Sequence, residues 1–177
     1  PGHDPENYSA ILLHHGYAHA NKLLALVVAW RELMLLSQCR VVLADHAPTA
    51  ILAARTLGLP VMLFGNGFGV PPALPVCPAM RAWRELPAGL LEEIDGVALG
   101  NINRVLQHFG QTPLQAVAEL FDVAESGLLT FPELDHYSRN RPTRYWGSLT
   151  THSGMAPSWP EGSGAKIFVY ARPTSPH

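Results

Sequence analysis

Residues 41–72, "VVLADHAPTAILAARTLGLPVMLFGNGFGVPP", decide how this chain is read. A β-branched run, residues 40–44, is followed at once by a carboxylate, Asp45, and an imidazole, His46. Residues 47–57 carry good helix formers, with Pro48 in the first turn, where its missing N–H costs little, and Gly58 where a left-handed cap residue belongs. Residues 60–64, Pro-Val-Met-Leu-Phe, are a second apolar run. Strand, helix and strand in this order predict a right-handed βαβ crossover, with strands 40–44 and 60–64 parallel and adjacent. Runs of this composition are typical of strands buried on both faces.

Ligands of open parallel sheets bind outside the carboxyl ends of the strands. Asp45, His46 and the loop 65–72 fall at such ends, on neighbouring strands, so Asp45, His46, Asn66, Gly67 and Phe68 are the candidate site. Asp45 has two readings. It can cap the following helix by accepting an N–H two or three residues on, or it can be half of an acid–base device. A cap occupies one oxygen, so the two are compatible. The run Gly65-Asn66-Gly67-Phe68-Gly69 resembles a phosphate loop, because glycines let backbone N–H groups approach an anion. A dinucleotide fingerprint must run into a helix, however, and Val70-Pro71-Pro72 follows here. An acceptor-binding loop with Phe68 as its apolar wall fits better; the plainer alternative is an ordinary connection with Phe68 in the core.

Working outward, residues 6–38 lack proline and place Leu23, Leu26, Val27, Trp30, Leu33 and Met34 at three-and-four spacing, which predicts an amphipathic helix interrupted near Gly16. The apolar stretch 23–30 is far short of the ~20 residues that span a bilayer and reads as a buried helix. Residues 81–109 read as mostly helical, broken at 87–89 and weakened at Gly96 and Gly100, and 113–121 as a helix opened by Thr112-Pro113. Residues 128–131 read as a short buried strand, followed by a polar loop to Arg141. Residues 150–164 are rich in Ser, Gly and Pro and read as a linker, and 165–171 is one further strand signal. The expected fold is α/β, a partial Rossmann-like parallel sheet flanked by helices.

Composition excludes several classes of function. Of the 177 residues, 47% are hydrophobic and 15% charged, which is too apolar for a disordered chain. A net charge of −2 without a Lys/Arg cluster leaves no footprint for nucleic acid or anionic lipid. Cys39 and Cys77 form neither a CxxC pair nor a disulfide framework, which fits a reducing, cytoplasmic setting. No secretory signal pattern opens the sequence, and its first residue is not methionine, so Pro1 is not taken as a biological N-terminus.

His15 and His19, with His14 beside them, have the spacing of a zinc pair on one helical face, but no third ligand is evident and no metal is expected. Glu92, Glu93 and Asp95 read as a solvated helix face, and Asp135-His136, in a polar loop after a strand, is a further site candidate. No GxSxG elbow exists and neither cysteine has an evident activating neighbour, so a nucleophilic hydrolase lacks support.

The stretch 41–72, the later "LLTFPELDHYSRNRPTRYWGSL" and the strand "AKIFVYARP" together resemble bacterial UDP-glycosyltransferase-like proteins of the GT-B fold. The likeness runs from Arg40 onward and rests on the order of degenerate pieces: strand-Asp-helix, an LG-x-P strand entry, the PELD stretch, a YxG-like motif and a strand after a linker. The resemblance implies two Rossmann-like domains facing across a cleft, with the acceptor on the first and the nucleotide sugar on the second. Residues 1–149 would then be the later part of the acceptor domain, 150–164 the linker and 165–177 the start of the donor domain. In inverting members a His near the start of the first domain is the general base, and an Asp at the end of a later strand orients it. Asp45 matches that Asp. The family's opening strand with its His-bearing turn does not appear, and His3 precedes a helix without a strand before it, so the base is expected outside this sequence.

The resemblance thus implies part of a glycosyltransferase that moves a sugar, from UDP-sugar or a related nucleotide sugar, to a hydroxyl acceptor with inversion. The acceptor would be a small molecule or lipid, and no cofactor would bind this chain. The alternative is a stand-alone α/β binding or scaffold module without chemistry.

Overall fold

Among the described residues three strands form one parallel sheet in the order β1-β2-β3: Val42–Asp45, Val61–Gly65 and Glu125–Leu128. The α-helices described beside them are α1 at Tyr8–Leu12, α2 at Ala20–Leu36, α3 at Pro48–Leu57 and α4 at Leu90–His108. The structure is a computed structural model and describes residues 4–137, 139, 143–149 and 154–167. No described helix is long and apolar enough to cross a membrane.

The βαβ unit forms as its punctuation predicts. Pro48 opens α3, and Gly58, at φ 65°, closes it in the left-handed region while its N–H caps the carbonyls of Ala54 and Arg55. β1 and β2 run parallel, Val42 beside Val61 through Asp45 beside Phe64. Burial departs from expectation, because Ala44 and Leu63 are buried on one face while Leu43 and Met62, paired on the other, are 64% and 41% exposed. The helices among the described residues leave that second face open, so β1 is buried on one side only. In α3 Ile51, Leu52, Ala53 and Ala54 are all buried, enclosed by α2, β1 and residues 117–121.

β3 starts three residues before the expected run 128–131. The polar Glu125-Ser126-Gly127 pairs through its backbone with Met62, Leu63 and Phe64, so side-chain composition gave no sign of it. A β-carbon on Gly127 would collide with the Trp146 indole. Leu128 forms a parallel bridge with Tyr145, so the stretch around Tyr145 and Trp146 lies along the outer edge of β3.

The interruption near Gly16 is present: a π-helical segment, Leu13–Tyr17, contains His15 at φ −101° and Gly16 at φ 104°. The carbonyl of Tyr17, freed by the break, accepts from Asn101 Nδ2 of α4 at 2.8 Å. α2 buries only part of its apolar stripe. Leu23, Val27 and Met34 are covered, whereas Leu26, Trp30 and Leu33 are 37%, 40% and 54% exposed, so the run 23–30 is half-buried.

Two expected helices are shorter or absent. Residues 81–89 are turns and coil, and α4 begins only after Gly89, at φ 80°, because Pro87 disfavours helix before it. α4 then runs unbroken through Gly96 and Gly100, where an added β-carbon would meet open space. Residues 113–116 are not helical because Asn103 grips the backbone of Leu114 at both ends, Oδ1 accepting from its N–H at 2.8 Å and Nδ2 donating to its carbonyl at 2.9 Å. Only a short 3-10 turn, Val117–Phe121, forms there. Residues 154–167 are exposed and carry no helix or strand. The rest of the expected linker, 150–153, and the rest of the expected strand, 168–171, lie outside the described residues.

Asp95 is not on a solvated face. It is 5% exposed, and its carboxylate accepts from Asn7 Nδ2 and from the Cys77 amide, each at 2.8 Å. Asn7 also caps α1 by accepting from Ala10 N at 3.0 Å. This knot ties the first helix, the loop before α4 and α4 itself together. The hydrophobic period of α4 favours Ala98, Ile102 and Val105 as its buried face, and Asp95 lies one turn earlier on that face.

Candidate functional site

The carboxyl ends of β1 and β2 bring Asp45 beside Gly65. A β-carbon on Gly65 would lie 2.6 Å from Asp45 Oδ1, and Gly65 itself stands at φ 142°, so glycine makes room for the carboxylate. Asp45 does not cap α3. The strand runs through Asp45, His46 turns the chain at φ 45°, and the cap position falls to Ala47, with no side-chain cap bond. Asp45 therefore sits two residues too early to reach the helix N–H groups. Its exposed carboxylate makes no hydrogen bond among the described residues.

His46 diverges from its neighbour. A left-handed backbone is costly for a residue with a β-carbon, and its persistence means that the surroundings hold it. The ring lies over Gly69, where a β-carbon would stand 2.9 Å from its Cδ2. It meets Tyr8 and Phe68 edge-on, with centroids 5.9 and 6.1 Å away. Phe68 in turn meets His136 at 5.3 Å, and His136 meets Tyr137 at 4.8 Å. An aromatic wall thus runs from Tyr8 through His46 and Phe68 to His136. Phe68 is half-buried, and Asn66 beside it is exposed.

The loop carrying Asn66, Gly67 and Phe68 is held from behind by Asp135. That side chain is 2% exposed and ion-pairs with Arg139, itself 9% exposed. Arg139 Nη2 donates to the Gly67 carbonyl at 3.0 Å, Tyr145 Oη donates to Asp135 Oδ2 at 2.6 Å, and the Tyr137 amide donates to Oδ1 at 3.2 Å. The Tyr137 hydroxyl reaches the Phe68 carbonyl at 3.5 Å. Burial works against ionisation of Asp135, but the hydrogen bonds from Arg139, Tyr145 and the Tyr137 amide outweigh it and hold the carboxyl below its usual range. The bond to Asp135 pushes the Tyr145 phenol up.

The five expected site residues therefore share one rim, with Asp45, His46 and Asn66 open to solvent, the His46 and Phe68 rings forming the wall and Gly67 under the Asp135–Arg139 brace. Sequence reasoning placed Asp135 and His136 in a loop but missed Arg139, Tyr145, Tyr137 and Tyr8. The four-residue spacing of Asp135 and Arg139 was the available signal; the contact to Gly67, 72 positions away, had none. Cys77 is no nucleophile here, because burial and the nearby Asp95 carboxylate push its thiol up to about 12. His14, His15 and His19 are exposed, the helix is broken between them, and no cluster of three or more potential metal ligands occurs among the described residues. No protein-family model matches this sequence, and no curated protein matches it.

Proposed function

We propose that this chain is part of an inverting glycosyltransferase of the GT-B fold, contributing acceptor-side machinery to transfer from a nucleotide sugar, UDP-sugar in the first instance. The observation that carries the reading is Asp45: an exposed carboxylate at the carboxyl end of a parallel strand, engaged in no cap and accommodated by a glycine on the next strand. A carboxylate whose only role was structural would be expected to spend its oxygens on the helix that follows. In the proposed reaction a histidine base from outside this sequence takes the proton of the acceptor hydroxyl. The oxygen forms its bond to the anomeric carbon, and the nucleoside diphosphate leaves with the electron pair of the broken bond. Asp45 would orient that base and balance the imidazolium charge.

His46, Asn66, Gly67 and Phe68 would line the acceptor site, with Phe68 as its apolar wall. The donor would bind a second domain, and a cytosolic location accords with the two free thiols, Cys39 and Cys77. One observation favours the rival reading, a non-catalytic α/β binding module: His46 packs on rings and forms no dyad with Asp45. UDP release from UDP-glucose in the presence of hydroxyl acceptors, measured on a full-length protein containing this chain, separates the two. Acceptor-dependent release supports transfer, and binding without release across donors and acceptors supports the module.

A further inference from the structure

A cavity of about 680 Å³ is lined by none of the five rim residues. It lies between the proline-rich segment after Gly69, the 3-10 turn Val117–Phe121 and β3. Its two sides differ in chemistry. One carries the accessible apolar surface, Ala73, Leu74 and Pro75; Val70, Phe121 and Leu128 also line it but are buried. The other carries Arg55, at the end of α3, with Glu119, Asp122, Arg139 and Arg144 around it.

The charges on that side are not equally committed. Arg139 is spent on Asp135 and the Gly67 carbonyl. Arg144 stands over the Trp146 ring and 3.8 Å from Glu125. Glu119 Oε2 accepts from the Gln115 amide at 3.0 Å. Arg55 makes a single hydrogen bond, Nη1 to the Glu119 carbonyl at 3.2 Å, and has no carboxylate partner among the described residues. A guanidinium has five donors in a planar fork suited to a carboxylate, so most of the Arg55 fork is uncommitted at the edge of the cavity.

We infer that this cavity binds a small monocarboxylate with an apolar or aromatic body, its carboxylate on Arg55 and its body against Ala73, Leu74 and Pro75. The volume suits such a ligand, since small-molecule pockets span about 300–1,000 Å³. A dianion such as phosphate is disfavoured, because Glu119 and Asp122 face the same space and repel a second charge. The site is separate from the rim and does not depend on the proposed transfer reaction.

Calorimetric titration with 4-phenylbutyrate tests this, with the uncharged 4-phenylbutyramide as its twin. The acid binds saturably with a dissociation constant of about 1 mM or tighter, and the amide at least about tenfold more weakly, because a charge-assisted hydrogen bond is lost. Arg55→Gln weakens the acid to the level of the amide, and Arg55→Lys, which keeps the charge without the fork, falls between. Inorganic phosphate does not compete. Equal binding of acid and amide by the unaltered chain overturns the inference without recourse to any variant; so does the absence of saturable binding, or displacement by phosphate. A folded Arg55→Gln protein, judged by an unchanged melting temperature, that binds the acid normally overturns it as well.

Discussion

A β-carbon on Gly67 would collide with Oδ1 of Asp135, although 68 positions separate the two residues. The rim loop has glycine at this point because the Asp135–Arg139 pair is packed against its backbone, and Arg139 then holds the Gly67 carbonyl. Gly67→Ala would force the buried pair apart or lift the loop. The expected cost is about 2 kcal/mol, the usual scale for overpacking. Urea unfolding checks it, and an alanine variant as stable as the parent would show that the brace yields freely.

Asp135→Asn leaves Arg139, whose side chain is 9% exposed, without its carboxylate. Removing one member of a buried pair costs about 3 kcal/mol or more, against well under 1 kcal/mol for exposed pairs such as Arg144–Glu125. The pH dependence has a defined sign. The Asp135 carboxyl titrates lower in the folded chain than in the unfolded one, so its contribution is complete above the unfolded value, ~3.9, and is lost as pH falls through the folded value. The Tyr145 phenol is raised, so its contribution is complete below ~10 and is lost as pH rises beyond that. Unfolding free energies from acidic to neutral pH should therefore fall more steeply at the acid end for the parent than for Asp135→Asn. Parallel profiles would contradict the assignment.

Asp95→Ala removes the acceptor for two buried donors, Asn7 Nδ2 and the Cys77 amide. The amide is left without a partner and the Asn7 Nδ2 group keeps only its bond to the Cys77 carbonyl at 3.2 Å, so the loss should be about 2–4 kcal/mol. Thermal melting checks this. A change within a few tenths of a kcal/mol would mean that water replaces the carboxylate at little cost.

On the proposed reading the donor binds a second domain, so this chain alone should bind UDP-glucose with a dissociation constant of about 1 mM or weaker, roughly −4 kcal/mol. Micromolar binding in a calorimeter would show that the donor site has been misplaced.

These predictions divide by how readable their residues were. The βαβ unit was legible because local chemistry marked each boundary: Pro48 at a helix start, Gly58 at its end, apolar runs on either side. The rim followed from strand direction alone, so Asp45 and Asn66 could be placed together. What sequence could not supply was backbone pairing of polar residues, as in Glu125-Ser126-Gly127, or a side chain diverting a backbone at a distance, as Asn103 does to Leu114. Asp95 looked like one more acid on a helix. Its burial depends on Asn7, 88 positions away, which no periodicity reports. Asp45 was open to a capping role until the left-handed turn at His46 moved the cap position to Ala47.

The central claim, that Asp45 serves chemistry, is tested most directly by Asp45→Asn in a full-length protein containing this chain, with turnover and melting temperature measured on the same preparation. Because Asp45 caps nothing and is exposed, the melting temperature should stay put, a stability change within about 0.5 kcal/mol. Turnover should fall strongly, by up to ~10⁴ if the base loses its correct tautomer, with acceptor affinity nearly unchanged. Unchanged turnover in an otherwise active enzyme would contradict the account.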